Sequence, residues 1–186
     1  DWGESVFLLC SGMAKVRTYT ADGDEVVMSV LGAGDVFGEM AVLDEAPRSA
    51  DVVALTPVKL MKLRAGPFVA LLRKEVDFSL ALARLEASRL RDLNQRFAIQ
   101  TSDATTRLLN ALAYLARKSS AADDPKGAIP SLAQKELGLM AGVSRETASR
   151  ILSKLRSRGV LEEVDGCLRL LDLQPLIKRG LLPHGS

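Results

Sequence analysis

One short loop brings an acid and an arginine together. The stretch GEMAVLDEAPRSA (38–50) opens on Gly38 and Glu39 and closes on Pro47, Arg48, Ser49 and Ala50. A guanidinium after a proline turn, followed by two small residues, suits capture of an anion. The fork of Arg48 presents paired N–H donors, and small neighbours leave backbone N–H groups within reach. Glu39 would repel that anion, so the acid needs a different target.

A second group lies in IPSLAQKELGLMAGVSRETASRILSKLRSRGVL (129–161). Ala141-Gly142-Val143 breaks a helical pattern, and Ser144 is an expected N-cap with Glu146 in the first turn behind it. Gly142 sits where a helix-turn-helix needs a left-handed residue, and Gly138 lets two helices approach closely. Ser131 after Pro130 is the expected cap of the first helix, which runs to about Met140. Val143, Ala148 and Ile151 then point inward. Arg145, Glu146, Ser149 and Arg150 point outward, where arginine can read the O6 and N7 edge of guanine and glutamate can accept from cytosine. Lys154, Arg156 and Arg158 lie further along, at positions suited to phosphate contacts. A helical hairpin with a solvated charged face is the plainer reading, but turn, cap and packing signals coincide here.

Other chemistries find few residues. The only histidine is His184, which disfavours a zinc site, a haem site or a Ser/His/Asp triad. Cys10 and Cys167 lie far apart in apolar runs and are expected to be buried strand residues of a reduced, cytoplasmic protein. The adjacent acids Asp44-Glu45, Asp123-Asp124 and Glu162-Glu163 read as solvated turns, so no acid, base or metal is positioned for catalysis and an enzyme is not expected. No apolar run reaches the length of a membrane span. From Lys126 onward there are ten Lys and Arg against six Asp and Glu, whereas the first 125 residues carry fifteen against seventeen. The basic end points to an anionic partner there.

The elements that must position these groups change along the chain. VRTYT (16–20) and EVVMSVL (25–31) flank an Asp22-Gly23 hairpin turn, LGAGD (31–35) is a glycine turn, and Thr56-Pro57 separates ADVVAL from VKLMKL. Short strands at this spacing imply an antiparallel barrel or sandwich. From Pro67 to about residue 99 the composition is helical, with no further Gly or Pro. Leu80, Ala83, Ala87, Leu90, Asn94 and Phe97 recur at spacings of three and four, the seam of a coiled coil. A helix packed on its own barrel would show the same stripe. The dimer is favoured because a long helix leaving a small barrel needs somewhere to bury it. Asn94 can fix register or face a ligand at the barrel–helix boundary. Asp103–Lys118 is a second helix, 119–128 a loop, and 162–171 a two-stranded wing turning at Asp165-Gly166. The expected domains are 1–66, a β sensor; 67–102, a dimerisation helix; and 103–186, a winged helix-turn-helix.

GDVFGEMAVLDEAPRSA (34–50) together with AGVSRETASRIL (141–152) resembles the Crp/Fnr family, the cyclic-AMP receptor protein and fumarate–nitrate-type regulators of bacterial transcription. The resemblance runs from about Gly3 to Leu171. It implies an α+β fold: an antiparallel, jelly-roll β-barrel that binds cyclic nucleotides, a long dimerisation helix and a winged helix-turn-helix. The start at Asp1 without methionine, read against the family, leads to the expectation of a fragment that lacks the first barrel strands. The family's phosphate-binding cassette matches Gly38, Glu39, Arg48, Ser49 and Ala50. Arg48 would pair with a cyclic phosphate, and Glu39 would accept from a ribose 2′-hydroxyl, as acids do in dinucleotide sites. The resemblance places adenine contacts in SRLRDLNQRF (88–97): Asp92 and Leu93 without a gap, Leu93 and Asn94 with one. Leu93 cannot bond a base; Asn94 can. In the reading helix the family's base-contacting positions match Arg145, Glu146 and Arg150, with Ser144, Thr147, Ser149 and Lys154 completing the DNA-binding set.

These readings converge on a homodimeric, cytoplasmic regulator that binds TGTGA-like inverted half-sites in double-stranded DNA and works with RNA polymerase. Its expected effector is cyclic AMP, with no metal, haem or iron–sulphur cluster and no membrane. A relative active without ligand, or one sensing cyclic di-GMP, keeps the same motifs. A regulatory subunit controlling a partner enzyme would bind no DNA.

Overall fold

A computed structural model describes residues 4–120 and 123–182; Gly3 and His184 lie outside them. The chain divides into two compact units, Asp1–Asn94 and Gln95–Ser186.

In the first unit, β1 (Ser5–Ser11), β2 (Ala14–Tyr19), β3 (Glu25–Leu31) and β4 (Val36–Phe37) precede α1 (Glu39–Leu43). β5 (Asp51–Ala54), β6 (Lys59–Arg64), α2 (Ala65–Lys74) and α3 (Val76–Ala98) follow, the last four residues of α3 belonging to the second unit. The Asp22-Gly23 turn closes the β2–β3 hairpin, with Thr20 N donating to Asp24 O at 2.9 Å. The expected barrel takes the form of two three-stranded antiparallel sheets, ordered β4-β1-β6 and β3-β2-β5. Phe7, Leu9 and Phe37 from one and Ala14 and Leu31 from the other share a single core, in the jelly-roll manner. Thr56-Pro57 is therefore a crossing between sheets: β5 pairs with β2, and β6 with β1.

Cys10 corrects an expectation. It lies in a strand but is exposed, and Cys167 is only half-buried. Side chains alternate across a strand, and both cysteines fall on the face opposite the inward leucines, Leu9 for Cys10 and Leu168 and Leu170 for Cys167.

The single long helix expected from residue 67 is two. Glu75 is extended, with φ −111° and ψ 101°, between α2 and α3. No glycine or proline marks the break. Buried Phe68 meets Phe78 edge-on with centroids 5.8 Å apart, which brings the two helices together across it. The hydroxyl of Ser79 donates to the carbonyl of Leu72 at 2.6 Å, satisfying an acceptor at the end of α2. Along α3 all six seam residues, Leu80, Ala83, Ala87, Leu90, Asn94 and Phe97, are exposed, with Phe97 at 76%. Leu82, Leu85 and Arg89, off the seam, are half-buried.

The second unit contains α4 (Ala104–Ser119), β7 (Ile129–Pro130), α5 (Gln134–Ala141), α6 (Arg145–Ser157), β8 (Leu161–Val164), β9 (Cys167–Leu170) and α7 (Gln174–Ile177). Leu108, Leu109, Leu112 and Leu115 of α4 are buried, as are Leu137 of α5 and Ile151, Leu152 and Leu155 of α6. The wing has a third strand, in the order β7-β9-β8. Pairing of Ile129 and Pro130 with β9 keeps the chain extended there, so α5 starts after Ala133 and Ser131 is not its cap.

Asp103 caps α4, accepting from the backbone N–H groups of Thr105 and Thr106 and from the Thr106 hydroxyl at 2.6 Å. The Thr106 hydroxyl bond holds its carboxyl below the usual aspartate range. The stabilisation is thus present at neutral pH and lost as pH falls through the lowered value. Asp103→Ala is expected to lower stability by about 1 kcal/mol at neutral pH. Urea titrations of both proteins should show that gap narrowing below about pH 3.9.

Candidate functional site

A cavity of about 510 Å³ lies in the first unit, with walls from β2, β3, the 38–50 loop and α3. Val16, Leu31 and Leu93 supply apolar surface; Glu39, Arg48, Ser49 and Arg89 supply polar groups. Gly38 begins the loop at φ 79°, a conformation that favours glycine. A Cβ there would also lie 2.5 Å from Nη1 of Arg48, so a side chain at this position would displace the guanidinium from its place against the loop. The Arg48 guanidinium donates to the carbonyls of Gly38 and Ser5. Ser49 and Ala50 both reach the cavity wall.

Glu39 is buried, at 3% exposure. Its Oε1 accepts from Nη1 of Arg89 at 3.1 Å, while its Oε2 is buried with no hydrogen-bond partner. Arg89 also bonds Glu86 at 2.8 Å, approaches Asp35 at 3.7 Å and donates to the Val36 carbonyl. One guanidinium on α3 thus faces three carboxylates. Burial pushes the Glu39 carboxyl up from its usual value, and the charge of Arg89 only partly offsets this. Sequence reasoning missed Arg89. The available signal was Glu86 one turn before Arg89, an acid–base pair on the face away from the seam.

Asn94 lies on the seam, as one of the two expectations had it, and is not part of the cavity lining. It is exposed, and Leu90 and Leu93 line the cavity in its stead. Next to Leu93 in the chain, Asn94 is turned by about 100° from it, so the two side chains leave the helix in different directions.

In the second unit Gly142 is left-handed at φ 60° and ends α5. A Cβ on Gly138 would lie 2.9 Å from the Val143 carbonyl, which explains the small residue at this helix approach. Ser144 caps α6, its Oγ accepting from Thr147 N at 3.2 Å. Ala148, Ile151, Leu152 and Leu155 are buried, which turns Arg145, Glu146 and Arg150 to solvent, with Thr147 and Ser149 half-buried. Arg156 pairs with Glu163 of the wing at 3.3 Å. Lys154 is exposed, but with Arg158 and Lys178 it lines a separate cavity of about 260 Å³. At 100° per residue it lies on the flank of α6, about 140° round from Ser149. Among the described residues no helix is long and apolar enough to cross a membrane.

Residues 1–75 match the cyclic nucleotide-binding domain family, and residues 106–179 match the Crp-like helix-turn-helix domain family. A cyclic AMP receptor protein of Thermus thermophilus is 34% identical over 162 residues, covering 87% of this chain and 72% of the relative. A CRP-like cAMP-activated global transcriptional regulator of Mycobacterium tuberculosis is 26% identical, over 96% of this chain and 80% of its own length. Among solved structures, FixK2 of Bradyrhizobium japonicum superposes with a TM-score of 0.78 at 21% identity, covering 95% of this chain and 87% of FixK2.

The raised Glu39 carboxyl is open to a direct test. A folded-state pKa above the unfolded one means that the ionised group destabilises the fold at neutral pH and that wild type gains as pH falls. Glu39→Gln is expected to raise the denaturation midpoint of the unliganded protein at neutral pH. That advantage should shrink as pH approaches the usual glutamate value of 4.5.

Proposed function

The chain belongs to the Crp/Fnr family of transcription regulators, and on that premise we propose a homodimer that reads inverted DNA half-sites under control of a cyclic nucleotide, cyclic AMP first. The observation that carries this reading is the cavity where Arg48 and Glu39 meet Arg89 of the long helix. Arg48 would meet the cyclic phosphate through its guanidinium. Glu39, with an oxygen unpaired in the buried wall, would accept a ribose hydroxyl. That bond would draw on the carboxylate that now holds Arg89, and so bias the arrangement of α3. A ligand that binds one arrangement more tightly shifts the population toward it.

The exposed seam of α3 supports the dimer, with apolar residues at coiled-coil spacing and Asn94 as a register residue. A two-fold dimer presents two α6 helices to half-sites one turn apart, TGTGA-like by family resemblance. Within this reading Ser144, Arg145, Glu146, Thr147, Ser149 and Arg150 face the major groove, and Lys154 serves a flanking phosphate. RNA polymerase is the further partner, and the cytoplasm is where such a regulator works. A second reading within the family, control by another nucleotide or none, is favoured by Leu93, which lines the cavity where a base would need a polar partner.

Fluorescence anisotropy on a duplex with two inverted half-sites, at fixed salt, separates these readings. Cyclic AMP is expected to tighten specific binding, and Arg48→Gln to remove that response while leaving basal DNA binding intact. Specific binding indifferent to cyclic AMP would favour the second reading. Arg145→Ala is expected to weaken the specific duplex by about 1–3 kcal/mol and random DNA much less. Equal losses on both would remove its base-reading role.

A further inference from the structure

Arg107, in the second turn of α4, carries no ion pair among the described residues. Its guanidinium is spent on main-chain carbonyls. Nη1 donates to Gln100 at 2.9 Å and to Ser102 at 3.2 Å. Nε donates to Ala141 at 3.1 Å, and Nη2 to Gly142 at 3.2 Å. Two acceptors belong to the turn that follows α3, and two to the end of α5 and the turn before α6. Ala141 ends α5, where carbonyls lack intrahelical partners and carry partial negative charge, and Gln100 and Ser102 lie in the turn between α3 and α4, so one cation serves both turns at once. Only a planar fork with donors on separate edges can do this; an ammonium is a point charge on a flexible stem.

The consequence lies in what is attached to each side. Gly142 is followed by Val143, whose N–H bonds Gly138 O at 2.9 Å, and then by Ser144, the cap of α6. The turn entering α6 therefore has little slack of its own. We propose that Arg107 is a positioning residue that joins the turn after α3 to the helix-turn-helix turn as one body, so that displacement of residues 99–102 is transmitted to α6. The proposal rests on the reading of α6 as the DNA-reading helix.

The test is amide hydrogen exchange by mass spectrometry on the full chain, comparing wild type, Arg107→Lys and Arg107→Gln, with anisotropy on specific and random duplexes. Loss of bonds from a charged donor should speed exchange about tenfold or more in residues 99–102 and 141–145 together, with 109–115 of α4 unchanged. Specific-over-random preference should fall by about tenfold as well. Lysine is expected to fail as glutamine does, because charge without the fork cannot bridge. Faster exchange in one segment alone, or in neither, overturns the proposal. Loosening that includes the centre of α4 overturns it too, since that is a general loss of packing, as does full preference retained by Arg107→Lys. If wild type prefers no duplex, the reading of α6 fails, and the exchange result still decides the bridge.

Discussion

A half-buried arginine between three acids is the constraint around which the first unit is arranged. Arg89 holds Glu39, Glu86 and the nearby Asp35 in a place from which water is largely removed. A buried charge tolerates this only when paired, and removing one partner of such a set leaves the other uncompensated. The pairing is incomplete: an oxygen of Glu39 and Nε of Arg89 both lie buried without a hydrogen-bond partner, and burial pushes the Glu39 carboxyl toward the neutral form. An unsatisfied buried acceptor beside an arginine-bearing loop is the feature on which the proposed ribose contact rests.

The loop and α3 are thereby linked by chemistry as well as by packing. Gly38 takes a left-handed φ of 79°, and the tip of Arg48 lies in the space a Cβ would take. Arg48 in turn ties the loop to β1 through the Ser5 carbonyl. On α3, Glu86 and Arg89 reach the cavity together with Leu93 and the seam residue Leu90, while the rest of the seam carries residues that the chain leaves exposed.

The second unit uses cations differently. Arg107 serves backbone carbonyls, Arg156 pairs with the wing, and Arg145 and Arg150 remain exposed on α6. Arginines nearby in sequence therefore divide between structure and surface. Composition cannot make that division, because it depends on which carbonyls and carboxylates the fold brings within reach.

The sequence by itself determined what acts over a few residues. Asp22-Gly23 and Asp165-Gly166 turned where expected, Asp103 and Ser144 capped helices, Gly142 took the left-handed turn, and the period of α6 set which residues are buried. These follow from local sterics and from hydrogen bonds within one turn of chain. Tertiary structure decided the rest. Strands on either side of Thr56-Pro57 went to different sheets, and the β9 pairing moved the start of α5 past Ser131. Phe68 and Phe78 accompanied a break at Glu75 that no glycine or proline signalled, and Leu90 and Leu93 rather than Asn94 lined the cavity. Glu39 found Arg89, Gly38 closed on Arg48, and Arg107 found carbonyls in two distant turns. Such pairings need remote segments to meet and water to leave, and a reading that runs residue by residue along the chain contains neither event.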